Sequence, residues 1–181
     1  DHLDVYQNGK KLEESYKAFA SLVSNPNDRW IKDGLEVSGL SFGTASKSDV
    51  RVQNIKTENG HYIFDFYSTD QILRNLQFGL PGAHNLMNAT VAIAMALSVG
   101  CDPNSIAKAL QSFKGVDRRF SIRMKKPCVL IDDYAHHPTE IDQMAQSVQE
   151  FYPSSKKTIA VFQPHLFSRT RDFCDGFAES L

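Results

Sequence analysis

Apolar and polar positions along the chain change period several times, and each change marks an element. Residues 10–23 place Leu12, Tyr16, Phe19, Ala20 and Val23 at helical spacing, with lysines and glutamates opposite. That pattern predicts a helix with one buried stripe, ended by Asn25-Pro26-Asn27-Asp28. Residues 35–80 read instead as antiparallel β structure. Val50-Arg51-Val52 and Tyr62-Ile63-Phe64-Asp65-Phe66-Tyr67 are rich in β-branched and aromatic residues, and Asn59-Gly60 stands between them. A type I′ turn needs positive φ twice, which makes Asn-Gly a strong hairpin signal. A third strand is expected over residues 72–80.

Pro81-Gly82 breaks the chain, and residues 86–99 are apolar almost all round, which predicts a buried helix stopped by Gly100. Asp102-Pro103 reads as an N-cap followed by proline at the first helical position, opening a short helix on Ile106, Leu110 and Phe113 that Gly115 closes. Beyond Arg118-Arg119 the pattern changes again. Cys128-Val129-Leu130-Ile131 and Thr158-Ile159-Ala160-Val161-Phe162 are short apolar runs of the parallel-strand type. Between them Ile141, Met144, Ala145 and Val148 form a helical stripe, and Ser168 is placed to cap a last helix. Strand–helix–strand–helix is a βαβα unit and predicts a parallel sheet. The fold class is therefore α/β, with a boundary near residues 115–120.

Composition narrows the classes. The 181 residues are 41% hydrophobic and 23% charged with a formal net charge of -1, an ordinary globular mixture without the basic surface of a nucleic-acid binder. No apolar run approaches the ~20 residues of a membrane span, and no charged-then-apolar leader opens the sequence. Cys101, Cys128 and Cys174 are an odd, scattered set that suits a reducing interior better than a disulfide framework. The chain opens at Asp1-His2-Leu3-Asp4 without methionine and closes at Ser180-Leu181 inside a predicted helix, so it reads as an excised piece of a longer protein.

Candidate chemistry sits in three clusters. In Gly82-Ala83-His84-Asn85-Leu86-Met87-Asn88 the helix-opening residues His84, Asn85 and Asn88 share one face at i, i+3 and i+4 spacing. An asparagine amide offers donor and acceptor together, matching the edge of an adenine; the same residues also suit simple helix capping. Asp132-Asp133-Tyr134-Ala135-His136-His137-Pro138 follows an apolar strand directly, where open α/β sheets bind ligands and a carboxylate accepts from ribose hydroxyls; the bland alternative is a capped loop, with Thr139 and Asp142 as a capping box. Gln163-Pro164-His165-Leu166-Phe167-Ser168-Arg169-Thr170-Arg171-Asp172 places two arginines at a predicted helix N-terminus. Cations there oppose the helix dipole unless an anionic ligand or nearby acids offset them. Arg119 stands at the predicted domain junction, and Gly43-Thr44-Ala45-Ser46-Lys47-Ser48 lacks the glycine that a phosphate loop needs before its lysine.

In this order, the segments DHLD, PGAHNLMNA, GVDRRF, DDYAHHPTE and FQPHLFSRTRD resemble the Mur ligase family along most of the chain, most weakly over residues 25–80. The last segment favours its alanine-adding members over the muropeptide-recycling ligase, which shares the DD-x-AHHP loop but is expected to lack QPH-x-x-S-R-T-R-D. The resemblance implies an ATP-dependent ligase of peptidoglycan precursor synthesis, cytoplasmic and Mg²⁺-dependent. It joins L-alanine to the lactyl carboxylate of UDP-N-acetylmuramate through an acyl phosphate. The chain would then hold the C-terminal part of a central ATP-binding domain (residues 1–118) and the first βαβα part of a Rossmann-like C-terminal domain (residues 119–181). The piece alone is expected to be inactive, because the phosphate loop and a glutamate metal ligand would lie upstream.

By the same resemblance, His2 is the Mg²⁺ ligand, His84, Asn85 and Asn88 line the adenine site, Arg119 reaches ATP and Asp133 holds the ribose. His137 and Arg169 face the muramoyl carboxylate and the alanine, with His136, His165 and Arg171 also on substrate. Many family members carry arginine where this chain has Leu166, which leaves Arg169 more of the alanine carboxylate to bind. Two readings from other classes compete. One is a metallohydrolase using Asp132, Asp133, His136, His137 and His165. The other is a non-catalytic nucleotide-binding module.

Overall fold

The computed structural model describes residues 6, 8–155 and 157–181. Helix α1 (Gly9–Ser21) begins where the Asn8 side chain accepts from the Lys11 amide at 3.0 Å. Its apolar stripe is not buried, contrary to the sequence expectation: Tyr16 is 64% and Phe19 72% exposed. A stripe is buried only against an opposing apolar surface, and none of the described residues covers this one.

A five-stranded sheet follows, in the order β1 (Trp30–Lys32), β2 (Leu40–Gly43), β3 (Val50–Glu58), β4 (His61–Tyr67), β5 (Ile72–Phe78). The expected antiparallel β3–β4–β5 meander is present. Glu58 pairs with His61, so Asn59-Gly60 is a two-residue turn, and both central residues have positive φ, 51° and 73°. The sequence pattern missed β1 and β2, which join in parallel and are too short to show a period. Bulges interrupt both antiparallel ladders. Asp65, 7% exposed, bridges them by accepting from Asn54 Nδ2 at 2.8 Å and from the Asn75 amide at 2.9 Å, and both asparagines have positive φ. These bonds, the one from Asn54 foremost, hold its carboxyl below the usual carboxylate range.

Alternate residues Tyr62, Phe64 and Phe66 of β4 are at most 2% exposed, as a period-2 strand on a core requires. Against this sheet lies α2 (Ala83–Ser98), burying Leu86, Ala89, Thr90, Ile93 and Ala94. It is not buried all round: Met95 is 52% exposed, because the sheet covers one face only. Gly100 takes φ 81° just past the C-terminus, closing α2 as expected. Helix α3 (Pro103–Ser112) is capped by Asp102, which accepts from the Ser105 amide at 2.8 Å, with Pro103 at its first position.

Past α3 the chain crosses to a second, antiparallel two-stranded sheet of β6 (Ser121–Met124) and β7 (Leu130–Asp132). The expected strand at 128–131 thus exists in part, but its neighbour is β6, which the hydrophobic pattern did not mark. Residues 158–162 form no ladder among the described residues. Ile159 is 71% and Val161 96% exposed, so the predicted parallel pairing is absent here. A parallel strand of this kind is normally covered on both faces. Helix α4 (Pro138–Phe151) buries Ile141 and Ser147, whereas Ala145 of the expected stripe is exposed. Helices α5 (Phe167–Asp172) and α6 (Cys174–Ser180) complete the chain, with Phe177 buried and stacked 5.1 Å from Phe162.

Candidate functional site

The N-terminus of α2 is the centre of the site. Gly82 caps it with φ 102°, a conformation side chains rarely adopt. A Cβ there would stand 2.7 Å from His84 Cε1 and 2.9 Å from Ser147 Oγ. One turn later the face carrying His84, Asn85 and Asn88 opens onto a cavity of about 700 Å³. Its walls are largely apolar, formed by Phe78, Ala89, Ile93, Leu110 and Phe113, and Arg119 contributes a cation. Phe78 and Phe113 stack with ring centres 6.1 Å apart. Asn85 Nδ2 donates to the Pro81 carbonyl at 2.6 Å, which ties the first turn to the preceding residue, and no side chain caps the helix N-terminus. The Asn88 side-chain amide makes no hydrogen bond among the described residues and lines the cavity.

A second cavity of about 260 Å³ adjoins the first, sharing His84, Asn85 and Arg119 and adding Asp133, Glu140 and Gln143. Asp133 is a structural clamp: Oδ2 accepts from the Phe120 amide at 2.7 Å and Oδ1 from the Ala135 amide at 2.8 Å. The Tyr134 amide donates to the Arg118 carbonyl at 2.8 Å, and the Arg118 guanidinium lies 4.4 Å from the Tyr134 ring centre. These bonds fix Arg119 beside the cavity, where Nη1 meets Glu140 Oε1 at 3.4 Å. A carboxylate has about four lone-pair sites, so Asp133 retains capacity for a hydroxyl.

Helix α4 is capped two residues earlier than the expected Thr139–Asp142 box. The His137 side chain accepts from the Thr139 amide at 3.3 Å through Nδ1, and Glu140 Oε2 accepts from the His136 amide at 2.8 Å. Burial pushes the Glu140 carboxyl up, but the His136 amide, His136 and Arg119 outweigh it and leave the group below its ordinary value. Burial holds both His84 and His137 below the usual imidazole value; at His84, Asp133 and a bond to Gln143 oppose this in part.

The third cluster departs most from expectation. Ser168 does not cap α5; Leu166 occupies the cap position with φ 71° and no side-chain bond. Arg169 and Arg171 lie in the last turn, where the dipole favours cations. The helix has only six residues, so Arg169 is also its third residue and lies within one turn of both ends. Arg169 is 8% exposed, while Arg171 pairs with Asp172 at 2.8 Å and His165 is exposed. His165 and Arg171 line neither cavity. His136 Nδ1 bonds to the Tyr134 carbonyl at 2.7 Å, and the His137 ring meets Phe173 at 4.8 Å.

Among the described residues no group of three or more His, Cys, Asp or Glu is arranged to hold a metal. The metallohydrolase set is dispersed into other work: Asp132 pairs with Arg123 at 2.9 Å, Asp133 and His137 bind backbone, and His165 is exposed. His2 lies outside the described residues. The three cysteines are free and exposed, and no helix among the described residues is long and apolar enough to cross a membrane. Sequence reasoning missed Glu140, Gln143 and Ser147 as site residues, although their i, i+3, i+7 spacing puts them on one face of α4.

Comparison with known proteins gives the family. Residues 1–96 match the Mur ligase middle domain, and residues 118–181 match the Mur ligase glutamate ligase domain. A UDP-N-acetylmuramate–L-alanine ligase of Christiangramia forsetii is 52% identical over 182 residues, covering 100% of this chain and 40% of its own. One of Clostridium acetobutylicum is 38% identical, covering 99% of this chain and 41% of its own. The chain thus spans about 40% of the length of the curated relatives it matches. The crystal structure of the UDP-N-acetylmuramate–alanine ligase MurC from Thermotoga maritima superposes with a TM-score of 0.77 at 27% identity, covering 100% of this chain and 41% of its own. The apo form of folylpolyglutamate synthase from L. casei, at 17% identity and a TM-score of 0.71, shares the fold. With two successive domain matches spanning most of its length, the chain belongs to the Mur ligase family.

Proposed function

We propose that this chain is the middle-to-C-terminal part of an ATP-dependent ligase that joins L-alanine to UDP-N-acetylmuramate, with residues 1–118 in the central domain and 119–181 in the C-terminal domain. The observation that carries the alanine assignment is the 52% identity, over the whole of this chain, to a relative named for that reaction. The paired cavities supply the chemistry. Adenine fits the apolar space beside Phe78 and Phe113, with the uncommitted Asn88 amide bonding its edge and His84 and Asn85 alongside. Arg119 meets the nucleotide from the junction, and Asp133 accepts from the ribose. ATP phosphorylates the muramoyl carboxylate, and the alanine amine displaces phosphate from the resulting acyl phosphate.

His137 and Arg169 serve the substrate carboxylates in this reading, with His136, His165 and Arg171 on the same side of the reaction. His2 would hold Mg²⁺. ATP and UDP-linked precursors place the reaction in the cytoplasm. The test is phosphate release from ATP by the full-length protein. Release should require both UDP-N-acetylmuramate and L-alanine; release supported by a peptide but not by L-alanine would point to the muropeptide-recycling ligase instead.

A further inference from the structure

Three elements from distant parts of the chain meet at one hydroxyl. Tyr62 of β4 is 2% exposed, and its ring meets Phe151 edge-on with centres 5.0 Å apart. Its hydroxyl donates to Glu150 Oε2 at 2.7 Å and accepts from the Gly82 amide at 3.1 Å. The other oxygen of Glu150 accepts from Thr57 Oγ1 of β3 at 2.8 Å. Gly82 is the cap of α2 and makes no side-chain cap bond of its own. Glu150 is the penultimate residue of α4, the helix that brings Glu140, Gln143 and Ser147 to the second cavity. One hydroxyl therefore connects the residue that starts the His84–Asn85–Asn88 face to the helix that forms the opposite wall.

We infer that Tyr62 and Glu150 are positioning residues for the nucleotide, setting the separation of the α2 and α4 walls from outside the cavities. The inference rests on the nucleotide reading of those cavities. Tyr62 and Glu150 line neither cavity, so they touch no ligand there and act only through Gly82 and α4. Without the hydroxyl, the Gly82 amide loses its acceptor and Glu150 keeps only Thr57. The start of α2 and the end of α4 are then free to shift relative to each other, and with them His84 and Gln143.

The experiment is nucleotide titration calorimetry on the full-length protein and its variants, alongside thermal melting. Tyr62→Phe keeps the ring on Phe151 and should weaken ATP binding about tenfold, the scale of losing hydrogen bonds to buried or charged groups. Affinity for UDP-N-acetylmuramate should hold. Glu150→Ala should do the same, Glu150→Gln, which keeps an acceptor for the hydroxyl, should recover most of the loss, and the double variant should be no worse than the weaker single one, as expected of one unit. If Tyr62→Phe does not fold, Thr57→Val at an exposed position should show a smaller loss in the same direction. Lower melting temperatures with unchanged ATP affinity would make the relay purely structural and overturn the inference. Failure of the unmodified protein to bind ATP would overturn the nucleotide reading itself, and the inference with it.

Discussion

His84 stands where both cavities meet, and its protonation state is tied to folding. Its surroundings, chiefly burial, hold the imidazole below its ordinary value of about 6.5. The charged groups acting on it are Asp133 and Glu140, which favour the proton, and Arg119, which opposes it. Because the folded pKa is depressed, the unfolded chain takes up the proton first. The contribution of His84 is thus fully present above the unfolded value and is lost as pH falls through the folded one. Denaturant midpoints measured from pH 7.5 down to 5.5 should therefore decline, and His84→Gln should decline less steeply. Equal slopes for the two proteins would remove His84 from the acid sensitivity. His137 shifts in the same direction and accounts for part of what remains.

At the scale of elements, the start of α2 is the tightest joint. Gly82 combines a φ of 102° with contacts at 2.7 and 2.9 Å that any Cβ would make. Gly82→Ala should cost more than about 1 kcal/mol, because alanine cannot adopt the native backbone without strain. It should also displace His84 and so weaken nucleotide binding; chemical denaturation and titration calorimetry check the two effects separately. A fully stable variant would mean that the joint relaxes.

Which elements the sequence announces follows from how local their causes are. Asn59-Gly60, Asp102-Pro103 and Gly100 act within a few residues of themselves, and the hairpin, the α3 cap and the α2 stop are where they predict. His84, Asn85 and Asn88 were legible for the same reason, since one helical turn brings them together. Strand β6, paired with β7, carries no period of its own, and the burial expected of the α1 stripe and of residues 158–162 does not follow from periodicity, because a pattern names an apolar face but not the surface that would cover it. The helix that carries Arg169 and Arg171 starts at Phe167 instead of after a Ser168 cap, because its N-cap, Leu166, makes no side-chain bond that a sequence pattern would mark. The Tyr62–Glu150 contact, 88 residues apart in sequence, left no local trace at all.

For the whole molecule, α2 packs on the five-stranded sheet and α4 follows the two-stranded one, and the proposed nucleotide site lies between these two helices. Its most direct test is calorimetry of full-length Asn88→Ala with each ligand separately. Asn88 carries a side-chain amide without a hydrogen bond among the described residues in the larger cavity, so if adenine binds there as proposed, its loss leaves the base edge without a partner, a cost of about 1–3 kcal/mol. ATP affinity should fall by that amount while UDP-N-acetylmuramate affinity stays within error of the unmodified protein. Unchanged ATP affinity, or equal losses for both ligands, would contradict the assignment of this cavity to adenine.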